Sequence, residues 1–408
     1  MNHKPFTKTG SPALEARLLE TCRWILAETL RVVPSRKLDG FVLGGGYGRG
    51  EGGVLRTELG DQPYNDLEFY VFMTGSRLWN ERIYGQKLCQ LGERLSPEAG
   101  LHVEFKIDSL ARLKQTPVSI FTYDLLSGHK IFVGNESLFN GCQKHLDSTA
   151  IPLSEASRLL LNRCSGLLLA REVLSNSGSS PTANERGSRP QLIGPPNPRG
   201  FSELTSDEAD FVGRNLAKTQ LCLGDSVLVA FGQYHWSCAE RVRLLRGLVP
   251  DEKMAWFDAV QMHHEAGAAF KLEPCRISKP VIQFEKDCCE LGALALKVWL
   301  WLENRRLGCT FKSVRDYAFN PRVKCPGTSA WRNYLLSLRS FGAKAALAPL
   351  SLRYPRERLL NALSLLLWNG EFAREPGIVQ HLQRQLVTDA ADWNGLVTAY
   401  KKLWAHYG

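Results

Sequence analysis

The sequence predicts an α+β protein with two parts, an α/β domain over about residues 1–150 and a mostly helical domain over 151–408. Two observations carry this. Helical and strand-like patterns interleave up to about Val133, and after Ile151 nearly every patterned stretch has helical spacing. A polar segment at about 175–206, containing SNSGSSPTANERGSRP and GPPNPRG, reads as a flexible insertion between helices.

The elements follow in order. Ser11-Pro12 is a helix start, serine as cap and proline at the first helical position. Leu14, Leu18, Cys22, Ile25, Leu26 and Leu30 then recur at helical spacing up to Pro34. Phe41–Leu43 is the first strand and Asp66–Met73 the second, rich in aromatic and β-branched residues. A helix is expected from near Ser76 to Leu95. A third strand, Leu101–Ile107, places Leu101, Val103, Phe105 and Ile107 on one face. His102, Glu104 and Lys106 take the other face, and Asp108 continues that parity. Asp124–Val133 reads as a turn and a further short strand. The stretch SEASRLLLNRCSGLLLAREVL reads as an amphipathic helix capped by Ser154, and helical periodicity continues to the C-terminus.

Composition bounds the class. An apolar fraction of 44% and a charged fraction of 23% are those of a globular chain. The longest apolar stretch, LGALALKVWLWL, is too short to span a bilayer and contains Lys297. The polar N-terminus lacks the apolar core of a signal peptide. Eleven cysteines without a CxxC pair read as small buried hydrophobes. A soluble, cytoplasmic protein without a membrane partner is therefore expected. The net charge of +10 suits polyphosphate or nucleic acid, yet no run of Lys and Arg exceeds two residues, so nucleic acid is not the favoured partner.

The chemistry concentrates in FVLGGGYGRGEGGVLRTELGDQPYNDLEFYVF, residues 41–72. Glycines let a backbone approach phosphate oxygens closely. Asp66 and Glu68, one residue apart on a strand, face the same side and can share divalent cations. The segment Gly48 to Gly53 also fits GxGxxG, the dinucleotide-binding fingerprint. That fold requires a helix of several turns directly after the glycines, and Gly60 and Pro63 interrupt one here. No Gly-Lys-Ser/Thr is present to make a P-loop.

GGYGRGEG followed by NDLEFYVF resembles the nucleotidyltransferase superfamily of the DNA polymerase β type, including its minimal and small-molecule branches. The resemblance covers about residues 35–135. It implies a mixed sheet and a Mg2+- or Mn2+-dependent transfer of a nucleoside monophosphate from a nucleoside triphosphate to an acceptor hydroxyl, by a two-metal mechanism. It makes Gly45 and Gly46 the turn that contacts the phosphates, and Asp66 and Glu68 the metal ligands. The Arg49-Gly50-Glu51 triplet also matches the minimal members, which places Arg49 near the nucleotide; a structural pair with Glu51 or Asp66 is the other reading. The third metal carboxylate is Glu104, with Asp108 as the alternate, and Glu104 would orient the acceptor or take its proton. The spacer before Asp66 exceeds the family's usual length, and its surplus GVLRTELGDQPYN reads as a loop insertion.

In the helical half, Arg214 and Lys218 share one helix face. The resemblance makes Lys218 a contact to the triphosphate; a solvated face is the plain alternative. His263-His264-Glu265 is not a metal site, because adjacent helical side chains diverge by about 100°. The tryptophans Trp236, Trp256, Trp299 and Trp301 read as core. Two other functions remain open: a non-catalytic nucleotide- or RNA-binding protein of the same fold, and a protein-modifying partner in a toxin–antitoxin-like system. The acceptor, whether small molecule, protein or RNA, is not encoded in any motif.

Overall fold

The computed structural model describes residues 4–177, 204–250, 254–346, 349–369 and 375–408, so most of the polar segment at 175–206 lies outside the described residues. Helix α1 (Pro12–Val32) begins where Ser11 accepts the Leu14 amide and proline takes the first turn. It buries Leu14, Leu18, Cys22 and Ile25, whereas Leu30 of the same stripe is exposed. Strand β1 (Leu38–Leu43) leads into the five-residue helix α2 (Gly45–Arg49), which Gly50 ends in the left-handed region at φ +77°. The GxGxxG glycines therefore stop a helix instead of opening one.

The expected loop insertion is a β-hairpin. β2 (Val54–Thr57) pairs antiparallel with β3 (Gly60–Pro63), and Gly60 adopts φ +99° at the turn. Tyr47 pins its base: its hydroxyl donates to the Gly53 carbonyl and accepts the Tyr64 amide, both at 2.9 Å. Strand β4 (Leu67–Met73) starts one residue after Asp66. Helix α3 (Arg77–Ala99) crosses to β5 (Val103–Asp108), followed by α4 (Leu110–Gln115), α5 (Ile120–Ser127) and β6 (Lys130–Val133). Asp124 thus lies in a helix and not in the expected turn, because Ser119 and Thr122 form a reciprocal capping box that nucleates α5.

The four-stranded sheet runs β5-β4-β1-β6 and is mixed: β1 is antiparallel to β4 and β6, and β4 is parallel to β5. Its strand alternation builds two cores. Phe41, Leu43, Phe69, Val71, Val103 and Ile107 join the core that includes α1 and α3 residues. Val42, Tyr70 and Phe72 cluster with Leu113, Leu125 and Leu126 on the opposite face.

Beyond β6 the chain is helical among the described residues. Helices α6 (Leu153–Ser177), α7 (Ser206–Ala230), α8 (Cys238–Gly247), α9 (Phe257–Leu272) and α10 (Val281–Leu307) come first. Helices α11 (Val314–Phe319), α12 (Ala330–Ala346), α13 (Pro355–Trp368), α14 (Pro376–Leu386) and α15 (Trp393–Tyr407) complete it. Helix α6 begins at Leu153, so Ser154 stands inside its first turn instead of capping it. None of the described helices is long and apolar enough to cross a membrane. All eleven cysteines are free thiols, six of them buried.

The chain divides into two compact units whose boundary is not a single point. One holds residues 1–155 together with 228–252 and 265–275, so α8 and the end of α9 belong with the sheet. The other holds 156–227, 253–264 and 276–408. Inside the second, α13 is buried along most of its length, Trp299 packs edge-on against Trp368, and the Tyr400 hydroxyl meets Ser165 Oγ at 2.6 Å.

A buried carboxylate closes the first unit. Glu51 accepts the Ser237 hydroxyl at 2.6 Å and the Cys238 amide at 2.7 Å, and Lys8 approaches at 3.0 Å. Burial alone would raise this acid, but those three donors hold it at about 2, against an ordinary 4.5. A depressed folded value stabilises the protein above pH 4.5, and the gain is lost as pH falls toward 2. Glu51→Gln is therefore expected to cost roughly 3 kcal/mol at neutral pH, with the gap to wild type closing in acid; urea unfolding at several pH values measures both.

Candidate active site

The parallel register of β4 and β5 sets Glu68 directly opposite Glu104 and Tyr70 opposite Lys106. Alternation puts all four side chains on the face away from α1 and α3. Lys106 Nζ stands 2.9 Å from Glu68 Oε2 and 3.1 Å from Glu104 Oε2. The Tyr70 hydroxyl donates to the same Glu68 oxygen at 3.0 Å. Burial alone would raise the Glu68 carboxyl. The Lys106 ammonium overrides it, with Tyr70 and Arg49 adding, and holds Glu68 below the usual range. Lys106 is in turn raised by the two carboxylates against its own burial.

The glycine turn abuts this pair. Gly44 N donates to the Glu68 carbonyl at 2.9 Å, tying the end of β1 to β4. Gly45 adopts φ +62°, and a Cβ there would stand 2.9 Å from Glu68 Oε1. Only glycine meets both demands. Asp66 is exposed just before β4, next to Asn65, whose side-chain oxygen accepts the Gly53 amide at 2.6 Å.

Arg49, at the end of α2, bonds Asp124 Oδ2 at 3.0 Å, so its structural partner is Asp124 and not the Glu51 or Asp66 of the alternative reading. Burial alone would lower its pKa, but Asp124 reverses the sign and raises it. Its Nε is buried with no hydrogen-bond partner. Asp124 also accepts from the Tyr234 hydroxyl, which in turn accepts from Arg241 Nη1 at 2.6 Å. Lys271, at the end of α9, is lowered first by burial and then by the charges of Arg49 and Arg241. Arg49 thus bonds Asp124 directly and Arg241 reaches it through the Tyr234 hydroxyl, a concentration of positive charge that favours a polyanion. Arg241 and Lys271 escape a sequence reading, because α8 and α9 lie more than a hundred residues from the glycines; a lysine inside the apolar stretch AGAAFKL was the available signal.

The remaining expected residues fall elsewhere. Asp108 lies opposite Phe72, four residues along β5 from Glu104, and pairs with Arg112 at 2.7 Å. Gly46 follows Gly45 in the first turn of α2. Lys218 is exposed on α7 within the second unit, one turn from Arg214, which pairs with Asp210 at 2.9 Å. His264 bonds Asp225 at 3.0 Å and His263 bonds Gln220 at 3.1 Å, so the two histidines serve separate partners.

Among the described residues, no three or more His, Cys, Asp or Glu side chains are placed to hold a metal ion. Asp66 is not gathered with Glu68 and Glu104, whose side chains converge on Lys106 instead. The convergence itself fits a hard cation. Two carboxylates offer oxygen donors to one positive centre, and Mg2+ is commonly held by one or two carboxylates plus substrate phosphates.

No protein-family model, curated protein or solved structure matches the chain.

Gly45→Ala is expected to destabilise the fold by roughly 1–2 kcal/mol, the cost of a left-handed non-glycine residue, as read by urea unfolding. Gly46→Ala, whose Cβ would meet nothing nearer than 3.1 Å, is expected to cost less.

Proposed function

We propose that the chain is a nucleotidyltransferase that moves a nucleoside monophosphate from a nucleoside triphosphate to an acceptor hydroxyl. The observation that carries this reading is the register of Glu68 with Glu104 beside a glycine turn whose Gly45 leaves no room for a Cβ against Glu68. Strand β1, the glycine segment, strand β4 with Glu68 and strand β5 with Glu104 follow one another in the order of the resemblance, with the β2–β3 hairpin inserted before β4.

In this reading the Gly45-Gly46 turn presents backbone to the β- and γ-phosphates, and Arg49 and Lys271 offset their charge. Glu68 and Glu104 would hold Mg2+ or Mn2+, with the triphosphate completing the oxygen donors. The divalent ion, when bound, offsets charge on the triphosphate and on the leaving pyrophosphate. Glu104, the more exposed of the register pair, would orient the acceptor hydroxyl and take its proton. The α-phosphorus–oxygen bond to pyrophosphate breaks as the acceptor oxygen forms its own bond to phosphorus. Catalysis is then positioning and electrostatics, as expected for phosphoryl transfer.

A second reading draws on Lys106. An ammonium already bonded to both carboxylates offsets their charge without any metal, as would suit a protein that binds a nucleotide or RNA without turning it over.

The two readings diverge in one experiment. Transfer of α-32P-labelled nucleotides to protein, RNA and metabolite extracts is expected to require Mg2+ or Mn2+ and to vanish in Glu68→Gln and Glu104→Gln, both retaining wild-type circular dichroism. Nucleotide binding that is unchanged by metal removal, with no transfer to any acceptor, would favour the binding protein. The magnesium–triphosphate complex at about 100 times its Kd should add about 2.7 kcal/mol of stability, visible as a rise in Tm.

A further inference from the structure

Glu68 and Glu104 are not merely near each other. Parallel pairing holds their backbones at adjacent-strand distance, about 4.8 Å, and like charges directly opposite on one face repel. The chain answers that repulsion with a cation of its own. Lys106 comes two residues after Glu104 on the same strand and returns along the face to bond both acids, at 2.9 and 3.1 Å. Glu68 Oε2 is used twice, by Lys106 and by Tyr70, while Oε1 is turned to Gly45. The ammonium thus holds one oxygen of each acid, where a cation shared by the pair would compete with it.

We propose that Lys106 is a built-in cation that competes with the divalent ion for Glu68 and Glu104 and is displaced when a metal–triphosphate complex enters. The inference rests on the nucleotidyltransferase reading and adds a gate to it. Three features support displacement over a permanent lock. The Lys106 side chain is 36% exposed, so its flexible stem has solvent to swing into. Glu104 is more exposed still at 44%, so the outer half of the pair opens without unpacking a core. An incoming triphosphate carries the negative charge that the released ammonium then meets. Metal and nucleotide would therefore bind with positive coupling, and by linkage each would tighten the other.

Manganese binding provides the test, with free Mn2+ measured by electron paramagnetic resonance and folding checked by circular dichroism. Wild type without nucleotide is expected to bind Mn2+ weakly. Lys106→Met and Lys106→Gln are expected to bind it roughly tenfold more tightly or better, since removing one adjacent charge is worth that much. Lys106→Arg, which keeps the charge, should resemble wild type, and the double variant K106M/E68Q should lose the gain. A non-hydrolysable triphosphate should tighten Mn2+ binding in wild type more than in K106M.

Equal Mn2+ affinity in wild type, K106M and K106Q, still abolished by E68Q, would overturn the gate and leave the proposed activity standing. Absence of Mn2+ binding in all of them, with or without triphosphate, would overturn the metal-dependent activity itself.

Discussion

One buried charge organises the sheet-bearing unit. Glu51 lies just beyond the cap of α2 and is closed off from solvent, so its carboxylate must find donors inside the fold. It finds the N-terminus of α8, nearly two hundred residues away, and Lys8 of the chain's opening segment. That requirement makes the unit discontinuous in sequence. It also fixes where neighbouring side chains lie: Arg49 is two residues before Glu51, and Arg241 sits one turn into α8. The cationic group around Asp124 is assembled on this tie. A carboxylate with weaker partners would be protonated instead of anchoring, and the position of α8 against the glycine helix would loosen.

Local pattern made much of this legible. The Ser11-Pro12 start, the helical stripe from Leu14 to Ile25 and the alternation around Val103 and Ile107 each report on nearest neighbours, and those elements form, the strand over Val103–Asp108 instead of Leu101–Ile107. The parity that puts Glu104 and Lys106 on one strand face is equally local. What sits across from that face is not. Whether Glu104 or Asp108 meets Glu68 depends on strand register, which a non-local pairing with a helical crossover decides. The spacer hairpin escaped for a related reason. Four-residue strands containing a glycine and a proline carry little periodic signal, and tertiary ties through Tyr47 and Asn65 hold them. Asp124 shows the opposite error, a capping box whose second member is threonine in place of the usual Glu or Gln.

The sequence also could not announce the role of Lys106. Alternation places it beside Glu104, where the plain expectation is a surface ion pair worth little. The structure makes it a bridge between two strands, bonded to acids that register forces together. Two half-buried carboxylates opposite each other are costly unless a cation joins them, so the face demands positive charge in every state of the protein. Without a bound metal the lysine meets that demand; with one, two cations would face two acids, and the surplus charge suits a polyphosphate. An acid pair that must always hold a cation, with a lysine from its own strand to fill it, remains ordered before any ligand arrives. The same geometry that keeps the sheet edge stable therefore keeps the two acids aligned, and the proposed exchange of one cation for another would need a side-chain movement and no change in the strands.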